Sequence, residues 1–460
     1  MLLKQFTIDS QNIGQQEFLR PNVGYRYFFD IKNQKVWNKK KTILLKYVLK
    51  LIRSKKVRKG ELENKEIVLD IGNIERRCNN LINYEEFEKI GSSKNVLESG
   101  DLIIPKLQPQ MGNMFLNLKH KKYLGSSELL EYKILNNSNP IFIYYLITHK
   151  DFLHDLASLE SGKTHRRVNS IDLFKIKIPF VSKLTQDQIV TQIKPIENKI
   201  KELKSKIVPV QEIINKVFAR EFKFDLEKFE ELGKGNFFEV NFLNFNTPLI
   251  RSTVIQNNYK SNYLKQFLKN NNISLKDIII RPIKRGKQPK YVKDGIKVIK
   301  TLNIQKGEIN FNEVQFISDN FLKKNKEKAG IYQNDLLLTS TGMGRGKFAI
   351  YNDEEICFAD SHISIIRLNQ NKILPYFLNY YCQSFFGVEQ LKYIEMHIKG
   401  TPEIYESQLN YFQILNIPLK NQQKIIDEIK TELDKQEDMN KKIEKERNKI
   451  DEIIEKAIAI

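Results

Sequence analysis

Cysteine is scarce: Cys78, Cys357 and Cys382 are the only three in 460 residues, and no two lie close together. They outline neither a disulfide framework nor a zinc site and read as reduced bystanders. Long apolar runs are missing, since none reaches the roughly 18 residues of a spanning helix. The opening MLLKQFTIDSQNIGQQ also lacks the basic, apolar and small-residue order of a signal peptide. A cytoplasmic protein away from membranes is expected. The histidines at 120, 149, 154, 165, 362 and 397 form no His-Glu-x-x-His or other ligand spacing, so no metal is expected. No carboxylate constellation singles out a nuclease, and no Asn/Asp-Pro-Pro-aromatic motif or glycine-rich cofactor loop is present.

One apparent exception is ASLESGKT (157–164), which fits a loose phosphate-binding loop. Such a loop follows a buried strand and opens a helix. Here FIYYLITHKDFLHDLASLE reads as helix before it and HRRVNSIDLFKIKIP as strand after it, the reverse order. The loop TGMGRGK (341–347) fails too, with Thr341 at the first glycine position and Phe348 at the hydroxyl position. The chain is therefore expected to be non-catalytic and to bind no cofactor itself.

Acid is outnumbered as well. Lys+Arg total 76 against 55 Asp+Glu, a formal +21 and a pI near 9.5. Abundant Lys, Asn and Ile are what an A-rich coding sequence supplies, so part of this charge has a bland origin. The remainder favours a polyanionic partner, with nucleic acid leading. With 41% hydrophobic residues over this length, two to four folded domains are expected.

The chain repeats itself at about half its length. VLDIGNI (68–74) matches VIKTLNI (298–304), setting Asn73-Ile74 opposite Asn303-Ile304 at an offset of 230. ESGDLIIPKL (98–107) matches YQNDLLLTST (332–341), with Asp101 opposite Asp335 at 234; both read as a turn followed by a strand. SGKTHRRVNSIDLFKIKIP (161–179) answers KGTPEIYESQLNYFQILNIP (399–418), with Gly162 opposite Gly400. QDQIVTQI (186–193) answers QQKIIDEI (422–429) at 236. A slowly growing offset is the mark of small insertions between parallel copies.

After each copy the periodicity turns helical. Ile189, Ile193, Ile196, Ile200, Leu203, Ile207, Val210, Ile214 and Val217 alternate steps of four and three, a coiled-coil seam. Pro195 is read as close enough to the helix start to be tolerated, whereas Pro209 should kink or divide the helix. In the second copy Ile429, Leu433, Ile443, Ile450 and Ile454 keep the spacing, with polar Gln436, Asn440 and Arg447 between them. Each helix packing only on its own domain is the plain alternative. Antiparallel pairing is expected instead, giving a rod of roughly 45 Å, a little over one turn of duplex DNA.

Together, the duplicated layout, the IKIP…QDQIVTQI and LNIP…QQKIIDEI junctions and RGKQPKYVKDGIKVIKTLNI (285–304) resemble the specificity subunit of type I restriction-modification systems. The last segment is similar to the family's Arg-Gly-x-x-Pro-x-Tyr opening of a recognition domain. The first copy, KLIRSKKVRKGELENKEIVLDIGNI, has no Gly-x-x-Pro element. The resemblance implies an α+β protein with two mixed α/β target-recognition domains, 1–183 and 223–418, each reading half of a split DNA site. Helices at 184–222 and 419–460 would form an antiparallel coiled coil with internal pseudo-two-fold duplication, set the spacer and dock two methyltransferase subunits. Restriction and translocase subunits would join them, and S-adenosylmethionine, ATP and Mg²⁺ would sit on those partners. A related system with a fused methylase-nuclease partner, or a self-contained restriction or modification enzyme, are the alternatives.

Candidate contacts to double-stranded DNA come from the basic clusters. In the first copy they are Lys55, Lys56, Arg58, Lys59, Arg76, Arg77, Lys106 with Gln108, and His165, Arg166 and Arg167. In the second, Arg281, Lys284, Arg285, Lys287, Gln288, Lys290 and Tyr291 surround Gly286 and Pro289, and Arg345 and Lys347 lie in the glycine-rich loop. Arg reads guanine and Gln adenine through paired hydrogen bonds, while Lys mostly holds phosphate.

Overall fold

The computed structural model describes residues 42–232 and 259–459, apart from Asn136, 162–165, Asn270, Lys306, Glu313, Met343, Glu395 and 399–400. The chain forms two compact units. One holds the described residues up to Lys206 together with those from Asn440 onward; the other is Ile207–Met439. Both mix helix and sheet.

In the first unit a four-stranded antiparallel sheet runs Leu49–Leu51, Leu129–Ile134, Leu102–Pro105, Phe115–Leu116. In the second the order is Lys284–Arg285, Ile363–Ile366, Leu336–Thr339, Phe348–Ile350. Each unit also has a five-stranded sheet around one parallel pair. Val68 and Leu69 align with Leu124 and Gly125, and Val298 and Ile299 with Phe358 and Ala359. Leu69, Leu124, Val298 and Ile299 are buried at these pairs, whereas Gly60–Glu66, the earlier part of the first unit's long strand, is exposed or half-buried. The fifth strand differs. Lys56–Val57 pairs with Lys94–Leu97 at one edge, whereas Tyr291–Val292 pairs with Gln315–Ile317 at the other.

The sequence anchors mark the same local device in each unit. Asn73 Oδ1 accepts from Asp70 N at 2.8 Å and its Nδ2 donates to Asn83 O. Asn303 Oδ1 accepts from Lys300 N at 2.9 Å and its Nδ2 donates to Asn310 O. A short Asn side chain can replace backbone partners at a tight turn, so both strands end in the same one-turn 3-10 helix. Asp101 and Asp335 are buried and paired with Lys133 and Arg367, both at 2.8 Å. Gln186 and Gln422 are buried clamps. Gln186 accepts from Asn139 N at 2.7 Å and donates to Val181 O at 3.0 Å; Gln422 accepts from Leu374 N at 2.8 Å and donates to Ile417 O at 3.0 Å. The N–H groups they satisfy, of Asn139 and Leu374, stand at the start of the helices Pro140–Thr148 and Pro375–Gln383, each opened by a proline at a position whose N–H needs no intrahelical partner. Gly162 and Gly400 lie outside the described residues.

The predicted first helix is two. Lys183–Ser205 begins at Ser182, whose side chain accepts from Thr185 N, and Val210–Phe222 begins after Pro209. Ile207 therefore lies in the break, not on a continuous seam: Pro209 lacks the N–H and its ring collides with the preceding turn. Pro195 is interior, thirteenth in its helix, rather than near the start. Its exposure, and that of Thr191 whose carbonyl loses a partner, lets water take the freed bond.

The last helix runs Leu419–Ala459, its residues to Met439 in the second unit and the remainder in the first. Of the seam residues, Ile193, Ile200, Ile214, Ile429, Ile443, Ile450 and Ile454 are buried, while Ile196, Leu203, Ile207, Val210 and Leu433 are half-buried. In the second unit Val208 N meets Gln436 Oε1 at 2.9 Å, Arg220 pairs with Glu428, and Lys424 pairs with Glu221 at 3.3 Å. Rising numbers on one helix thus meet falling numbers on the other. The same helices also join the domain core, since Ile214, Val217, Ile425, Ile426 and Ile429 cluster with Phe377, Tyr381 and Phe386. In the first unit Lys199 reaches Glu446 at 2.7 Å. No helix among the described residues is long and apolar enough to cross a membrane.

Candidate nucleic-acid interface

In the first unit three loops meet. Gln108 N donates to Arg166 O at 3.2 Å, Val168 N to Lys106 O at 2.9 Å, and Arg77 N to Gly112 O at 2.8 Å. Arg76, Gln108, Arg166 and Arg167 are exposed on them and Lys106 is half-buried. Arg167 is held by Glu128 through two bonds, 3.0 and 2.9 Å. Lys55, Lys56, Arg58 and Lys59 are exposed around the outer strand of the five-stranded sheet. His165 lies outside the described residues.

Arg77 serves the fold. Its Nη2 contacts both Asp451 oxygens at 2.8 and 2.7 Å and its Nε donates to Thr148 O at 3.1 Å. Beside it, burial works to raise the Glu75 carboxyl, but hydrogen bonds from Lys204 and Asn80 outweigh it and hold the group below the usual carboxylate range. His149 caps the helix Lys150–Leu159 by accepting from Asp151 N at 3.2 Å. Burial lowers its pKa against the pull of Asp451, Asp151 and Glu455.

In the second unit the segment after Arg285 lies against the turn at 359–363. Gly286 N donates to Ile363 O at 2.8 Å and Lys287 N to Ala359 O at 3.1 Å. A Cβ on Gly286 would sit 2.3 Å from Ala359 O, so only glycine allows this approach. Arg285 is enclosed: it bonds Glu406 Oε1 at 2.8 Å, Glu403, and Ile404 O at 3.0 Å. Burial opposes its charge, and the two carboxylates overcome that. Arg281 and Lys284 both donate to Glu327 O near the end of the helix Asp319–Ala329, at 3.0 and 2.8 Å.

Outward remain Lys287, Gln288, Lys290 and Tyr291. Ser361 Oγ donates to Gln288 Oε1 at 3.3 Å, Tyr291 Oη to Asp360 Oδ2 at 3.4 Å, and Lys300 Nζ stands 5.4 Å from the Tyr291 ring centre. The glycine-rich loop joins the same region, because Thr341 bridges Glu403 and Ile404 N donates to Ser340 O at 2.9 Å. Lys347 is exposed and Arg345 half-buried there.

Sequence reading missed Ser361, Asp360, Glu403 and Glu406, which organise this surface; no motif marks them. Lys133 and Arg367 carried a usable signal, since they lie 234 residues apart, as Asp101 and Asp335 do. The helix Pro140–Thr148 precedes ASLESGKT and the helix Lys150–Leu159 runs into its first three residues, in line with the helical reading of the segment before it. On its other side stand the short helix Ser170–Leu173 and then the strand Lys177–Pro179, rather than strand alone. Among the described residues no group of three or more His, Cys, Asp or Glu could hold a metal ion.

No family model matches the chain. It is 28% identical over 156 residues to a protein of Methanocaldococcus jannaschii provisionally named as the type I restriction enzyme MjaX specificity subunit. That match covers 33% of this chain and 36% of the relative, so the chain spans little more than a third of the relative's length. The similarity agrees with the resemblance read from the motifs. Among solved structures, a chain from a study of complex assembly and conformational transition of the type I R-M system aligns at 13% identity and TM-score 0.40, covering 91% of this chain and 97% of that one. The type I restriction-modification S subunit from M. genitalium aligns at 14% and 0.38, covering 91% and 95%. The HsdS subunit from Thermoanaerobacter tengcongensis aligns at 12% and 0.32, covering 91% and 96%.

Proposed function

We propose that the chain is a DNA-specificity subunit of a type I restriction-modification complex, each unit reading one half of a bipartite site. The observation that carries this is the repetition of one loop-and-turn framework in two units whose exposed side chains differ. Asn73 and Asn303, Asp101 and Asp335, and Gln186 and Gln422 make corresponding bonds in each. On that shared framework the first unit offers Arg76, Gln108 and Arg166 and the second Lys287, Gln288, Lys290 and Lys347. Two copies of a frame carrying unlike side chains suit two unlike half-sites, and the excess of positive charge suits phosphate.

On this reading the chain is internally duplicated. The recognition domains fall near 1–183 and 223–418, and the intervening helices act as an antiparallel coiled-coil ruler and methyltransferase dock. Two methyltransferase subunits supply S-adenosylmethionine chemistry, restriction subunits supply ATP-driven translocation with Mg²⁺, and this chain performs no catalysis. Its setting is the cytoplasm.

Coexpression with its methyltransferase subunit, followed by genome-wide mapping of methylated bases, tests the proposal. A split motif with a fixed unspecified gap is expected. A continuous palindrome, or no added methylation from an assembled complex, would refute it.

A further inference from the structure

The strands Leu102–Pro105 and Leu336–Thr339 each lead into a loop of the same construction. In the first unit Met111 N donates to Gln108 O at 3.1 Å, and Gly112 closes the loop with φ 75°. In the second, Arg345 N donates to Gly342 O at 3.2 Å and Gly346 closes with φ 79°. The flanks correspond too: Leu107 bridges Arg167 as Thr341 bridges Glu403, and Val168 N meets Lys106 O as Ile404 N meets Ser340 O. Position by position, Gln108 stands where the second unit has Gly342.

Both positions have left-handed backbone, φ 46° at Gln108 and φ 83° at Gly342. Glycine adopts it freely, and a Cβ on Gly342 would meet nothing within 4 Å, so conformation rather than crowding explains glycine there. A glutamine in the same place is strained, and Pro109 after it closes the right-handed alternative. The side chain repays nothing locally, because the turn takes no cap bond from its amide and the residue is exposed. Strain kept at an exposed polar side chain, on a loop anchored at Arg166 O, is the pattern of a functional position.

We propose that Gln108 is a base-reading residue of the first unit, its carboxamide pairing with the N6 and N7 edge of an adenine in the major groove. Neighbouring Arg166 faces outward to take phosphate. The assignment rests on the DNA-reading function proposed above. Glutamine suits adenine because its amide offers one donor and one acceptor side by side, matching that edge.

Gln108→Gly supplies the residue the second unit uses, so the loop is expected to keep its shape. The complex of full-length chain with its methyltransferase subunit is assayed by methylome mapping and by binding to duplexes substituted at each position of the motif. Preference for adenine at one position of one half-site should fall by about 5- to 150-fold, the range for one paired contact. The other half-site should stay as in wild type, and the thermal stability should hold or rise, because glycine relieves the left-handed strain at this position. Gln108→Glu should shift that position toward cytosine, whose amino group needs an acceptor. Unchanged letters in both variants would overturn the proposal, as would a folded Gln108→Gly complex that loses all sequence preference or all binding. A wild-type complex yielding no split motif would instead sink the function itself, which keeps the two failures distinct.

Discussion

Replacing Arg77 by alanine separates a fold-holding arginine from a DNA-holding one. Arg77 looks like a DNA contact in the sequence, yet its guanidinium makes two bonds to Asp451 and one to Thr148 O. The Asp451 side chain is 6% exposed and that of Arg77 24%, so the pair is largely removed from water. Deleting one partner of such a pair typically costs about 3–5 kcal/mol, because the other charge stays buried without compensation. Because Arg77 keeps some exposure, the lower end of that range is expected, about 3 kcal/mol, roughly a 150-fold fall in the folded-to-unfolded ratio of the first unit. Arg77→Met with Asp451→Leu should recover about 2 kcal/mol, since neither charge is then stranded. Two units need not unfold together, so hydrogen exchange at amides of the helix Pro140–Thr148 is the suitable readout. Wild-type protection in Arg77→Ala, joined to a loss of about 0.9 in the log–log salt slope of DNA binding, would refute the reasoning.

Buried polar groups give two further expected outcomes. His149 has a folded pKa lowered by burial, so the unfolded chain takes up a proton that the native state refuses. Stability of the first unit should therefore fall as pH drops from about 6.5 toward the lowered value and level off below it; His149→Gln should flatten that slope in urea titrations, and an unchanged slope would remove His149 as its source. Gln422→Leu strands Leu374 N and Ile417 O and should cost the second unit about 2–3 kcal/mol by hydrogen exchange, whereas a loss below about 0.5 kcal/mol would show that the clamp is dispensable.

The anchors were legible because backbone demands them. Asn73 and Asn303 close turns through their own amides, and Asp101 and Asp335 sit where a strand begins, so residue type and spacing survive in the chain. The reasons behind other motifs were not visible. Gln186 and Gln422 stood out as repeated letters, but their bonds to Asn139 N and Leu374 N join segments about fifty residues apart. Arg77 and Arg285 were indistinguishable from Arg76 or Lys290 as charges, because the carboxylates that hold them lie 374 and 118 to 121 residues away. Pro209 gave its break plainly, while Pro195 did not reveal that the helix had already run twelve residues before it. The missing Gly-x-x-Pro in the first unit has a structural counterpart, since Lys56–Val57 joins the opposite edge of its sheet from Tyr291–Val292.

The last helix belongs to both units, and this fixes an order of events during synthesis. Asp451, Glu446 and Ile454, which complete the first unit, are translated only after the whole of Ile207–Met439. At about 5–20 residues per second, roughly 10–50 s separate the two parts. Until then the unit begun first lacks the helical residues that pair with its Arg77 and Lys199. A chain stopped near residue 440 would therefore spare the later unit and leave the earlier one unfinished.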